Sequence, residues 1–208
     1  MMQPQIDQVT QQIKQNGQSY EFTGHVCCPL FKGESKLILD RVGLHLTSPF
    51  DQMTLTYGEI VQFYIRDHKM LLETASGLVT VSRLGQQLKR LYSCLFDLYN
   101  EAVKEAFGVK GEAVLHVNGT FFGEEHGNTI YGEGRVELWG DCLCLLPPGR
   151  CARRIPLCFV NRMKAEDFVL RISLLSGESY RISNLGYGFV PLVQTLKKQL
   201  QSMRDMSL

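Results

Sequence analysis

The feature that most constrains this chain is a self-match at a spacing of about 100 residues. Ser76-Gly77-Leu78-Val79-Thr80-Val81-Ser82-Arg83-Leu84-Gly85 is echoed by Ser176-Gly177-Glu178-Ser179-Tyr180-Arg181-Ile182-Ser183-Asn184-Leu185-Gly186. The offset is 100 at the Ser-Gly and 101 at the Leu-Gly, so one residue is inserted between them. Upstream, Leu37-Ile38-Leu39 faces Val136-Glu137-Leu138, and Leu44-His45-Leu46 faces Leu143-Cys144-Leu145. Leu55-Thr56-Tyr57 faces Ile155-Pro156-Leu157, and Ile60 faces Val160. A fixed-period self-match is read before any local signal, and this period is too long for a solenoid. It predicts two similar domains in tandem, which the 208 residues can accommodate.

Both halves open with short alternating runs separated by turn residues, the pattern of half-buried strands. The first half reads as strands near 20–28, 35–40, 43–47, 53–56, 59–66, 69–74 and 78–82. The second reads as strands near 112–117, 134–139, 142–146, 152–155, 158–164, 168–175 and 179–183. Asp40-Arg41-Val42-Gly43, Arg66-Asp67-His68-Lys69 and Trp139-Gly140-Asp141 read as turns. Each half then closes with apolar residues at helical spacing. The first series is Leu84, Leu88, Leu91, Tyr92, Leu95, Phe96, Leu98, Tyr99 and Val103, and the second is Phe189, Leu192, Val193, Leu196, Leu200 and Met203. Pro191 is expected in a first helical turn, with Ser82 and Ser183 or Asn184 as caps. Gly108-Val109-Lys110-Gly111 marks the boundary. The domains are therefore expected at 19–108 and 109–208. Residues 1–18, polar and Gln-rich, read as a frayed tail or a short helix with Ile6, Val9 and Ile13 on one side.

About seven antiparallel strands followed by one amphipathic helix, twice over, resembles the pleckstrin-homology-like superfamily. The resemblance runs from about residue 20 to 205 and rests on element order and duplication rather than on a diagnostic motif. It implies a mainly β (α+β) class: two tandem split β-barrels, each capped by a C-terminal α-helix that covers an apolar mouth. It also implies a binding role. Members hold phosphoinositides with basic residues of the first loop, and paired members include chromatin-factor middle domains that bind histones. The basic first-loop motif is absent here. That loop offers Lys32 and Lys36 beside Glu34 in the first half, and Glu124, Glu125 and Glu133 in the second.

Charge narrows the partner classes. Lys+Arg 22 against Asp+Glu 21 gives a net charge of +1, without the surplus of a general nucleic-acid binder. Arg150, Arg153, Arg154, Arg162 and Lys164 nevertheless lie close together in sequence. They form the candidate anionic-ligand site, because a planar guanidinium makes bidentate bonds to phosphate. The alternative is an ordinary solvated face.

Cys142, Cys144, Cys151 and Cys158 offer four thiolates, but a C-x-C pair on a strand chelates poorly, and buried free cysteine is common. His25 and Cys27 share one strand face with no third orienting group. The glycine-rich stretch 118–134 reads as a loop without a phosphate-binding ending, and Glu124-Glu125-His126 within it reads as a solvated hairpin tip. No cofactor is expected, and a non-enzymatic role is expected. The seven cysteines, an odd number, and an N-terminus without basic and apolar signal regions suggest reduced thiols in a cytoplasmic protein. The leading functional expectation is protein–protein interaction, with an unidentified protein or peptide as partner. The alternative is peripheral binding to anionic lipid through the Arg150–Lys164 cluster, and a third is a small molecule in a cleft.

Overall fold

The computed structural model describes residues 19–205. The reading of residues 1–18 lies outside them. Fourteen strands and two α-helices follow in chain order. The first seven are β1 Tyr20–Cys27, β2 Lys32–Leu39, β3 Gly43–Thr47, β4 Gln52–Thr56, β5 Ile60–Arg66, β6 Lys69–Thr74 and β7 Gly77–Ser82, followed by α1 Gln87–Ala106. The second seven are β8 Leu115–Glu125, β9 Asn128–Leu138, β10 Cys142–Leu146, β11 Arg153–Pro156, β12 Val160–Glu166, β13 Val169–Leu174 and β14 Ser179–Ser183, followed by α2 Phe189–Asp205. The protein is thus mainly β, with two seven-strand antiparallel sheets, each followed by a helix.

The two sheets have the same strand order: β4-β3-β2-β1-β7-β6-β5 and β11-β10-β9-β8-β14-β13-β12. Their registers also agree at an offset of 100. Phe63 faces Leu72 as Met163 faces Ile172, and both ladders shift at one place, between Ile60 and Gln62 and between Val160 and Arg162. The inserted residue sits in one turn. Thr74 pairs with Gly77, whereas the Leu174 N–H reaches the Glu178 carbonyl, so the second turn is one residue longer. Gly177, at φ 93, supplies the left-handed residue such a turn needs.

By contacts the chain divides into two units. Among the described residues, one holds those up to Ala106 together with Pro148–Arg150, and the other holds Phe107–Pro147 and those from Cys151 to Asp205. In the first unit, Leu37, Leu39, Leu46, Leu55 and Leu72 alternate inward on their strands, and Leu91, Leu95 and Tyr99 of α1 pack on them. Pro148–Arg150 extends that unit's sheet beyond β5: the Phe63 N–H donates to the Pro148 carbonyl (3.0 Å) and the Arg150 N–H to the Val61 carbonyl (2.9 Å). In the second unit Phe121, Val136, Leu143, Ile172 and Ile182 do the same against Leu192, Val193 and Leu196 of α2. Each buried Leu or Ile of this kind stabilises by roughly 1.5–3 kcal/mol, so the periodicities that predict the elements also supply their stability.

Three expectations need correction. The stretch 118–134 is not a loop: β8 and β9 form a hairpin of two eleven-residue strands, turned at His126 and Gly127. Its core-facing positions include Gly119, Gly123, Gly132 and Gly134, because larger residues fill the space above them. A Cβ on Gly132 would lie 2.4 Å from the Phe121 ring, and one on Gly134 2.3 Å from the Leu146 carbonyl oxygen. Glycine in a strand often marks such close approach, and it hides the apolar alternation. The first connection of the second unit is therefore only the His126–Gly127 turn, with Glu124 and Glu125 on β8 and Glu133 on β9. Second, Ser82 and Ser183 end β7 and β14 and do not cap the helices, which begin at Gln87 and Phe189; Pro191 does lie in the first turn of α2. Third, the fifth and twelfth strands begin after short 3-10 turns, Tyr57–Glu59 and Leu157–Phe159, so their starts fall later than the sequence suggests. No helix among the described residues is long and apolar enough to cross a membrane.

Candidate anion-binding face of the second unit

Strand alternation decides which polar residues reach the surface. On β12 Arg162, Lys164 and Glu166 are exposed, while Met163 and Ala165 lean on the core. On β13 and β14 the exposed cations are Arg171 and Arg181, between buried Leu170, Ile172, Tyr180 and Ile182. Register then aligns the outward residues into rows. Lys164 faces Arg171, Arg171 faces Arg181, Arg181 faces Phe122, and Phe122 faces Tyr131. The neighbouring row is Arg162, Ser173, Ser179, Glu124 and Thr129. With strands about 4.8 Å apart, three cations and two aromatic rings cross five strands in roughly 19 Å. Arg181 lies over the Phe122 ring at 5.3 Å, a cation–π contact that fixes its guanidinium. Arg171 and Arg181 border a shallow depression of about 280 Å³, which Phe122, Glu124, Ser173, Ser179 and Tyr180 also line.

The five sequence candidates separate. Arg162 and Lys164 join this face. Lys164 pairs with Glu166 at 2.7 Å, and both side chains are about half exposed, so the pair is easily broken. Arg162 has no hydrogen bond or ion pair among the described residues. Arg150 belongs by contacts to the first unit and donates to the Gly58 carbonyl at 3.0 Å. Arg154 is bonded to Asp141 at 2.5 Å.

Arg153 is tied into a polar network. Its Nε and Nη2 donate to the Glu125 carboxylate at 2.7, 3.0 and 2.9 Å, and Nη1 donates to the Ala152 carbonyl at 2.8 Å. The Tyr180 hydroxyl donates to Glu125 Oε1 at 2.7 Å. The Glu125 side chain is 16% exposed. It is therefore not the solvated hairpin tip that the sequence suggests. The Arg153 hydrogen bonds hold its carboxyl below the usual carboxylate range. Burial, followed by the bond to Glu125, pushes the Tyr180 phenol well up. The network joins β8, β11 and β14, a structural role.

Two further clusters have local explanations. Asp40 Oδ1 accepts from the N–H groups of Val42 and Gly43 (2.8 and 3.2 Å), which locks the β2–β3 turn. Its Oδ2 meets His45 Nε2 at 3.1 Å, His45 Nδ1 meets Thr54 Oγ1 at 3.0 Å, and the Tyr57 hydroxyl donates to the Asp40 carbonyl. The sequence shows these four residues but not their convergence, which needs the β3–β4 register. Cys142 and Cys144 are both buried on β10 with Sγ atoms 3.9 Å apart. The bond from Cys142 and burial raise the Cys144 thiol pKa. Cys151 is half-buried and Cys158 exposed, and no three metal-ligating side chains converge among the described residues.

The fold and these sites define a β-rich chain of two repeated units with a cationic sheet face on the second. No family model matches the chain, and no curated protein matches it. Among solved structures, the C-terminal domain of an unknown protein from Leishmania infantum aligns with 50% of this chain and 96% of its own length, at 10% identity and a TM-score of 0.39. The Spt16D Pob3N heterodimer aligns over 76% of this chain and 84% of its own, at 16% identity and a TM-score of 0.32. At these scores the likenesses add nothing to the geometry.

Proposed function

We propose that the chain is a non-enzymatic binding module built from two pleckstrin-homology-like units, and that a partner protein adds an extended segment to the open edge of β12. The carrying observation is the state of that edge. β12 ends its sheet, and its register matches β5 residue for residue. In the first unit that register turns the Val61 carbonyl and the Phe63 N–H outward, and Pro148–Arg150 takes both. The equivalent groups of the second unit are the Asn161 carbonyl and the Met163 N–H. No backbone partner meets them on the open side among the described residues. An unpaired strand edge is a template for strand addition. Beside it runs a groove of about 470 Å³ lined by Met163 and by Lys197, Leu200, Gln201, Arg204 and Asp205 of α2. Arg162 and Lys164 would stand directly opposite the added segment's outward side chains, which favours acidic residues at alternate positions. Lipid binding is the second reading, on the same two cations.

The test is selection of displayed short peptides on the immobilised full chain, followed by hydrogen exchange of the complex. Selected peptides should carry alternate acidic residues, slow exchange of the Met163 amide, and be lost on Arg162→Glu with Lys164→Glu. Peptides that protect another segment, or no selection above background, would refute strand addition at β12. Binding to anionic but not neutral vesicles, lost in the same variant, would replace it with the lipid reading.

A further inference from the structure

A different observation, on the sheet face rather than its edge, carries a second site. Arg171 and Arg181 are a direct cross-strand pair, and Ser173 and Ser179 are the next outward pair along the same two strands. Four side chains thus stand at the corners of a rectangle about 5 Å across and roughly 7 Å long. They line the depression of about 280 Å³. Like charges held directly opposite each other are unfavourable in an antiparallel ladder, so the pair is electrostatically frustrated while nothing lies between them. Neither guanidinium has an ion pair among the described residues, and Phe122 steadies the Arg181 plane from below. The fork of each arginine matches two oxygens of a tetrahedral anion, and the two hydroxyls can meet the others.

The geometry points to a phosphate-monoester site formed by Arg171, Ser173, Ser179 and Arg181, whose ligand is a phosphorylated serine or threonine on a partner protein. A phosphate dianion matches the two positive charges, and a lone carboxylate would engage only one fork. A flat lipid surface fits less well. Glu124, Glu133 and Glu166 point outward on this same face and offset most of the field of its four cations. A discrete group entering between the arginines stays clear of Glu133 and Glu166 on the row beyond them, while Glu124, opposite Ser179, lines the serine end of the depression. The site does not depend on strand addition at β12.

The experiment is an amide-resolved NMR titration of the full chain with a short glycine-flanked phosphoserine peptide and with its unphosphorylated twin. Parallel arms use inorganic phosphate and vesicles of phosphatidylcholine with or without a phosphoinositide. The expected result is saturable shifts at residues 171, 173, 179 and 181, with affinity weaker by roughly tenfold or more without the phosphate. Arg171→Glu or Arg181→Glu should abolish them. Arg181→Lys, which keeps the charge but removes the fork and the ring contact, should weaken them several-fold. Both positions are exposed, so an unchanged circular dichroism spectrum is expected. No saturable shift would overturn the site, as would shifts spread evenly over distant cations such as Arg66 and Lys69. Vesicle binding that the phosphopeptide fails to compete would assign the arginines to a lipid headgroup and overturn the protein-borne ligand.

Discussion

Removing the Arg153 guanidinium should unfold the second unit at markedly lower denaturant. Arg153→Ala deletes three N–H···O contacts of 2.7–3.0 Å to Glu125 and leaves that carboxylate 16% exposed without its cation. A hydrogen bond to a charged group is worth about 1.5–3 kcal/mol, and stranding one member of a fully buried pair costs about 3–5. The Arg153 side chain is 30% exposed, so solvent screens part of the loss and about 2–3 kcal/mol is the expected cost. In a unit of about 100 residues that lowers the unfolding midpoint by roughly 10–20 °C. The assay is urea denaturation followed by fluorescence of Trp139. It is the only tryptophan, it is buried, and it belongs to this unit. Acid supplies an independent check. The folded pKa of Glu125 lies below its unfolded value, so its contribution is fully present above the usual carboxylate range. It is lost as pH falls through the depressed folded pKa. Glu125→Gln should therefore remove part of the acid sensitivity of the Trp139 transition while retaining the Tyr180 bond. A cost below about 0.5 kcal/mol for Arg153→Ala, the value of an exposed pair, would refute the reasoning. So would equal acid sensitivity in the wild type and Glu125→Gln.

Three further outcomes are expected. Gly134→Ala should destabilise the same transition by about 1–3 kcal/mol, because its Cβ would press on the Leu146 carbonyl, a backbone atom that cannot swing away. Gly140→Ala, in open space, should be neutral in the same urea titration. His68→Gly should stabilise the first unit by about 0.5–1 kcal/mol, read as a higher thermal midpoint, since His68 sits exposed at φ 57 in a tight turn that favours glycine. Iodoacetamide on the native chain, read by peptide mass spectrometry, should modify exposed Cys27 and Cys158 first and buried Cys142 and Cys144 last.

The repeat, the helices and most strand centres are legible in the sequence because each rests on a one-dimensional signal: a period of 100, of 3.6 or of 2. The β8–β9 hairpin is not, because glycine occupies core positions where Phe121, Tyr180 and Leu185 supply the bulk from elsewhere. An inward Gly carries no apolar mark, so the alternation that reveals β3 or β13 is blank there. Glu125 is misread for the same reason: its inward direction follows from a strand the sequence hides.

The basic site shows the complementary limit. Arg150, Arg153, Arg154, Arg162 and Lys164 attract attention by lying within fifteen residues, but adjacency along the chain is a poor guide to adjacency on a sheet. Arg153 and Arg154 are bound to Glu125 and Asp141, while Arg150 counts with the other unit. Arg171 and Arg181, each one residue after a buried Leu or Tyr, complete the row that Lys164 begins. Their outward direction is readable from alternation on β13 and β14; their alignment is not, because it depends on turn length. The residue inserted before Glu178 sets the β13–β14 register. With the two-residue turn of the first unit, Arg171 would face residue 180 rather than Arg181. A slip of one moves an outward side chain against an inward one. The longer turn takes up the inserted residue, so Arg171 and Arg181 occupy the cross-strand positions that Leu71 and Thr80 hold in the first unit.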